Sequence, residues 1–216
     1  MLDFVKNGVK IMEKEMYGIR YAEAGVDASK KKPLLIYLHG AGERGVDLDK
    51  VYVHGPLKEK DNIEIIKEFV LVAPQCGDGK TWWDYAERLY QWLSEYVKNE
   101  YVDETRVYLT GNSMGGYGTW ALSMAHPELF AAIVPVCGGG LAWNAGMLEN
   151  TPVWAFHCVG DDLVKCQETI TMVDAVKRYS KSEVKITIYP EISHDAWTKT
   201  YQNTALYEWL LSKQKI

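Results

Sequence analysis

Long apolar runs are missing from this 216-residue chain. No stretch is apolar over a length that could span a bilayer, although 47% of the residues are hydrophobic. A globular chain with a buried core is therefore expected, without membrane insertion. An excess of positive charge is missing too. Lys and Arg number 24 against 29 Asp and Glu, a net charge of -5, which leaves no footprint for nucleic acid or an anionic membrane surface. Cysteine is sparse, and Cys76, Cys137, Cys158 and Cys166 show no Cys-x-x-Cys spacing. Three of them fall in or beside apolar segments, where a free cysteine behaves as a small hydrophobe, so a reducing, cytoplasmic setting is the default. The N-terminus, Met1 to Gly8, has no basic region followed by an apolar core. No signal peptide is read there, and a secreted form trimmed of one would look the same. Repeats, low-complexity tracts and linkers are absent, and the length suits one domain over 1–216. Aromatic residues, by contrast, are plentiful. Eight tryptophans and 14 tyrosines exceed the needs of a core and point to an aromatic-lined surface.

Continuous apolar runs alternate with amphipathic segments along the chain. Pro33–His39, Phe69–Ala73, Phe130–Cys137 and Pro152–Cys158 read as strands buried on both faces, and Val184–Tyr189 alternates as a further strand. Tyr17–Glu23 alternates as an early, half-exposed strand. Between them, 47–67 reads as short helices, and Trp83–Tyr101, Tyr117–Ala125, Val164–Ser180 and Ala205–Leu211 as longer ones. Pro190–Trp197 reads as a loop. This order predicts an α/β fold: a doubly wound, mostly parallel sheet with helices on both faces.

The most informative stretch is Val107-Tyr-Leu-Thr-Gly-Asn-Ser-Met-Gly-Gly-Tyr-Gly118. A strand runs into Gly111-Asn-Ser-Met-Gly115 and then into a helix, the setting of a nucleophile elbow, Gly-x-Ser-x-Gly. A serine on so tight a turn holds strained dihedrals, and its flanking glycines let neighbouring backbone pass close by. A phosphate-binding loop would need a lysine after its last glycine, and Gly118-Thr-Trp120 has none.

A serine hydroxyl needs a general base, and the base needs a partner that fixes its tautomer. Asp161 and Asp162 follow the strand ending at Cys158, and His194 follows the last strand. Serine, acid, histidine is the chain order expected with an elbow on this fold. The glycine-rich loop after His39 can supply the N–H of Ala41, or of Gly42, opposite that of Met114, and two such donors would form an oxyanion hole. The elbow helix also turns its partly positive N-terminus to this place. His157, at the end of a buried strand, reads as a hydrogen-bonded core histidine. His39 reads as a brace for its loop and His126 as a helix cap, while the sequence does not orient His54. The group His157, Cys158, Asp161, Asp162 and Cys166 matches no familiar zinc spacing, so no metal is expected.

With these pieces in place the chain resembles a compact serine esterase of the α/β-hydrolase superfamily. The likeness is to the dienelactone-hydrolase, phospholipase/carboxylesterase and polyhydroxybutyrate-depolymerase-like group. It rests on Leu38-His-Gly-Ala-Gly-Glu-Arg-Gly45, Ala73-Pro-Gln75, Thr110 to Gly118, His126-Pro127 and Ser193-His-Asp-Ala-Trp197. The resemblance implies Ser113 as nucleophile, His194 as general base and acid, and an aspartate of the Asp161 loop as the orienting group. Members of this group tend to read His-Gly-x-x-Asp-x-x-Val-Pro at the acid loop. Here the loop is His157-Cys-Val-Gly-Asp-Asp-Leu-Val-Lys165. Counting from the histidine puts the acid at Asp161 and Asp162 at the variable position, and the missing proline departs from the pattern.

The connection from Gly138 to Thr151 is too short for a cap domain, so an open site for a small-molecule ester is expected, with no cofactor. Trp82, Trp83, Trp143 and Trp197 fall in predicted loops near the carboxyl edge of the sheet. Trp83, Trp143, Trp197 and Glu43 are candidate substrate-binding residues, which would suit an aromatic or carbohydrate-linked ester. The alternative use of these tryptophans is to pack loops onto the sheet. A thioesterase or a small peptidase would share the same site, and a silent binding module on a hydrolase fold is the non-enzymatic alternative.

Overall fold

The computed structural model describes residues 2–6 and 9–215. Nine strands form one sheet: β1 (Leu2–Lys6), β2 (Val9–Met16), β3 (Ile19–Ala24), β4 (Lys32–Leu38), β5 (Val70–Gln75), β6 (Val102–Asn112), β7 (Ala132–Val136), β8 (Val153–Cys158) and β9 (Val184–Tyr189). Their spatial order is β1-β2-β3-β5-β4-β6-β7-β8-β9. The first three run antiparallel to their neighbours, and every pairing from β5 to β9 is parallel. The sheet is thus mostly parallel, as the alternation of elements predicts.

Burial on both faces explains the continuous apolar strands. In β4, Leu34, Ile36 and Leu38 enter one core while Leu35 and Tyr37 enter the other, because successive side chains leave a strand on opposite sides. The first core is covered by α2 (Ala86–Tyr96), α3 (Met114–Ala125) and α4 (Cys166–Lys177). The second is covered by α1 (Pro56–Glu59), α5 (Trp197–Gln202) and α6 (Thr204–Leu211). In α2, Leu89, Trp92, Leu93 and Tyr96 make the buried stripe, spaced by three and four residues as one helix face requires. Among the described residues no helix is long and apolar enough to cross a membrane.

Several boundaries differ from the sequence reading. The early strand is not half-exposed: β3 begins after a turn at Tyr17 and Gly18, and all but Arg20 of its residues are buried. Glu23 misleads the pattern, because its carboxylate is buried and bonded to Lys14, Tyr96 and Tyr101. The helix expected over Trp83–Tyr101 is a 3₁₀ turn (Trp82–Tyr85) followed by α2, which ends at Tyr96. The elbow helix starts at Met114 rather than Tyr117. Trp197 is not in a loop but opens α5, whose first turn is anchored by the Asp195 carboxylate accepting from Thr198 N–H at 2.9 Å.

Candidate active site

Ser113 stands between β6 and α3 with φ 54° and ψ -119°, a left-handed backbone that costs an L-residue free energy unless its surroundings impose it. They do so by crowding. A side chain at Gly115 would place its first carbon 1.8 Å from the Leu38 carbonyl oxygen, and one at Gly111 would meet the Gly115 carbonyl at 2.5 Å. The turn is pinned by Ser113 N–H donating to Val136 O at 3.0 Å and Tyr117 N–H donating to Ser113 O at 3.0 Å.

The loop after β9 carries His194 to this serine. Its Nε2 lies 2.8 Å from Ser113 Oγ, and its Nδ1 lies 2.6 Å from Oδ2 of Asp161. Asp161 is buried, and its Oδ1 accepts N–H groups of Leu163 (3.0 Å) and Val164 (2.9 Å). Burial pushes this carboxyl up, but the hydrogen bonds from His194, Val164 and Leu163 outweigh burial and hold it below the usual range. The aspartate bonded to His194 is therefore Asp161, while Asp162 is exposed. With Nδ1–H committed to the carboxylate, Nε2 is the ring atom available to accept the serine proton.

The N–H groups that the sequence reading assigns to an oxyanion hole stand at the starts of helical turns. Met114 is the first residue of α3, and Ala41 and Gly42 open the 3₁₀ turn Ala41–Glu43, so none of these N–H groups has an acceptor within its own helix or turn. The loop is held from beneath. His39 lies with Nδ1 2.6 Å from Gly40 O and accepts the Cys76 N–H on Nε2 at 2.9 Å. It is fully buried, and burial pushes its pKa down to about 4. Trp82 donates its indole N–H to His39 O at 2.9 Å, Gln75 donates to Glu43 O at 2.9 Å, and Arg44 donates to Ala41 O at 2.8 Å. The Gln75, Trp82 and Arg44 braces escaped the residue-by-residue sequence reading, although Gln75 and Arg44 sit inside the stretches on which the family resemblance rests.

The candidate substrate residues separate. Trp197 packs edge-on against His194, with ring centroids 5.2 Å apart, and against His54 at 5.3 Å. Trp83 is 52% exposed and leans on Tyr117, with centroids 6.0 Å apart. These two rings wall a groove of about 460 Å³ that runs along one face of α3, past Ala121, and reaches Leu141 and Asn144. Trp143, in the 3₁₀ segment Ala142–Leu148, is 82% exposed. Glu43 does not face outward: it is buried and turned back toward Gly40, with its carboxylate 3.7 Å from His54 and 3.9 Å from His39. Trp82 is buried in the first core, and Trp197 packs, partly buried, against the second.

One group of potential metal ligands occurs among the described residues: Cys137, Asp161 and His194, each offering an atom within 4.8 Å of the others. Asp161 and His194 are already bonded to each other, and burial raises the Cys137 thiol far above its ordinary value, which keeps it protonated. The arrangement serves proton transfer better than metal binding.

Comparison with known proteins agrees with this architecture. Residues 84–149 match the model of the prolyl oligopeptidase family. A bifunctional acetylxylan esterase/xylanase from Neocallimastix patriciarum is 32% identical over 142 residues, covering 63% of this chain and 20% of that protein. Poly(3-hydroxyalkanoate) depolymerase C from Paucimonas lemoignei is 27% identical over 157 residues, 68% of this chain and 36% of that protein. The chain thus spans well under half the length of these two curated relatives. Among solved structures, a thermostable esterase superposes with a TM-score of 0.76 at 28% identity, covering 96% of this chain and 63% of that one. A phospholipase/carboxylesterase from Dyadobacter fermentans gives 0.69 at 17% identity, covering 93% of this chain and all of the other. Sheet order, elbow and relatives agree, and the chain has the α/β-hydrolase fold.

Proposed function

We propose that this chain is a serine hydrolase that cleaves carboxylic esters through an acyl-enzyme. The observation that carries the reading is the unbroken hydrogen-bonded series from Ser113 Oγ through His194 to Asp161. In the first half-reaction Ser113 Oγ attacks the ester carbonyl as His194 Nε2 takes its proton. The oxyanion rests on the N–H groups of Met114 and Ala41, with Gly42 adjacent, each donor lowering the barrier by about 3 kcal/mol. His194 then protonates the departing alcohol. In the second half-reaction His194 activates a water molecule, which releases the acid and regenerates Ser113. The chain itself supplies each of these groups, and no cofactor enters the scheme.

The substrate reading is a small ester with an aromatic or carbohydrate-linked group. Two observations support it: the exposed Trp83 on the groove along α3, and relatives named as an acetylxylan esterase and a poly(3-hydroxyalkanoate) depolymerase. The match to the prolyl oligopeptidase family over residues 84–149 favours a small peptidase as the second reading. Labelling with a fluorophosphonate, located by peptide mass spectrometry, together with p-nitrophenyl acetate hydrolysis, tests the chemistry. Stoichiometric modification of Ser113 with turnover is expected. Folded protein that neither labels nor turns over would bring the silent binding module forward. Matched oxygen esters, thioesters and peptide amides then rank the substrate classes, with oxygen esters expected to give the highest kcat/KM.

A further inference from the structure

Asp161 is shared between two histidines. Its Oδ2 meets His194 Nδ1 at 2.6 Å and, from another side, His157 Nε2 at 3.2 Å. His157 lies in β8, next to its last residue, and is fully buried. Its Nε2 has only acceptors in reach, Asp161 Oδ2 and the Val164 carbonyl at 2.9 Å. That nitrogen therefore carries a hydrogen whatever the charge of the ring. On the other side Nδ1 lies 2.7 Å from Thr169 Oγ1, a hydroxyl that is itself 2.7 Å from the Gly138 carbonyl. His157 thus ties together α4, the turn after β7 and the loop that holds Asp161. A histidine serving only the core would need partners for its own two nitrogens. This one also touches the carboxylate oxygen that orients His194.

We propose that His157 is a positioning residue for the Ser113–His194–Asp161 site. Its Nε2–H, divided between Val164 O and Asp161 Oδ2, fixes the rotation of the carboxylate and weakens Oδ2 as an acceptor for His194. The proposal rests on the reading of Ser113 as nucleophile. Leu163 and Val164 hold Oδ1 with two N–H groups, and His157 with His194 gives Oδ2 two as well. Without His157, Oδ2 keeps only His194. A carboxylate that loses a donor is the stronger base and stabilises a protonated neighbour more, so the acidic limb of kcat/KM moves to higher pH.

Other titratable groups face this site from each packed element. Cys158 on β8, Cys166 on α4 and Cys137 after β7 are thiols that burial pushes up, and Tyr117 on α3 is raised by burial with Glu168 and Asp161 nearby. Glu191, Asp195 and Lys199 approach from the β9–α5 side, and His54 lies across Trp197. The thiols and the phenol stay neutral near neutral pH and so do not contribute to a moving limb.

The test compares wild type, His157→Gln and His157→Leu. Glutamine can return an N–H to Asp161 and Val164, whereas leucine fills the space without a donor. Expected in His157→Leu is an acidic limb raised by roughly half a pH unit and a kcat lowered on the order of tenfold, with His157→Gln close to wild type. The same limb in all three proteins would overturn the proposal. Fluorophosphonate labelling of wild type separates the two failures. A wild type that neither labels nor turns over sinks the Ser113 reading and this proposal with it, and an active wild type with coincident limbs sinks only this proposal. If His157→Leu does not fold, nitrogen NMR of histidine-labelled wild type decides. A protonated Nε2 of His157 whose resonance moves when Ser113 is phosphonylated supports the proposal, and one that is indifferent overturns it.

Discussion

On the side of Ser113 that carries the His39 loop and Asp161, polar atoms are tied to one another: His39 to Gly40 and Cys76, Trp82 to His39, Gln75 to Glu43, Asp161 to four N–H groups. On the side facing the groove, Trp83 and Leu141 are 52% and 58% exposed. Trp82 and Trp83 are consecutive residues and fall on opposite sides of this divide. The first side holds atoms where a displacement of a few tenths of an ångström would spoil proton transfer, so it is over-determined by hydrogen bonds. The second offers flat apolar surface to whatever binds, and its cost is left to be offset by a ligand. Under the proposed function, reaction geometry and recognition are built from different materials.

The comparison breaks most completely at the nucleophile. Ser113→Ala should lower kcat on the order of 10⁶-fold and abolish fluorophosphonate labelling while leaving the unfolding midpoint in urea unchanged. An active Ser113→Ala protein would place the chemistry elsewhere. Next is the elbow itself. Gly115→Ala forces a carbon against the Leu38 carbonyl, and a loss of more than about 3 kcal/mol in stability is expected from that overpacking, read from urea unfolding. A mild effect there would mean that the β4–α3 approach is looser than described.

The third prediction concerns His39. Its folded pKa of about 4 lies below its ordinary value near 6.5. Between those two values the unfolded chain binds a proton that the folded chain does not, so stability falls as pH drops through this window. The loss amounts to about 3 kcal/mol for this group. Urea midpoints measured across that range should show this slope, and His39→Asn should flatten it even if that protein is less stable throughout. The smallest effect belongs to the aromatic side. Trp83→Ala should raise KM for aryl or sugar esters about fivefold, near 1 kcal/mol of lost contact, with kcat for p-nitrophenyl acetate unchanged. A fall in kcat instead would show that the two sides are coupled.

Much of this was legible in advance for a local reason. Gly111, Ser113 and Gly115 announce a turn too tight for side chains, and the apolar strands with intervening amphipathic helices announce a two-faced parallel sheet. Glu23 was unreadable because a charged residue looks exposed until Lys14, Tyr96 and Tyr101 are folded around it. Trp197 looked like loop because the residues before it contain no regular pattern, and its helix depends on the Asp195 anchor and on packing against His194 and His54.

What the sequence by itself determined was the order of the strands from β3 on, the elbow and the types of residue that could act at the ends of strands, since these depend on spacing and on local backbone sterics. Which tryptophan is buried, and that Glu43 turns back toward Gly40 while His157 reaches Asp161, were decided only by the tertiary structure, which also gives Asp161 the contact with His194 that counting along the loop assigns to it. Neighbouring residues such as Asp161 and Asp162, or Trp82 and Trp83, are chemically alike. Contacts with segments distant in sequence bury one of each pair and leave the other in water.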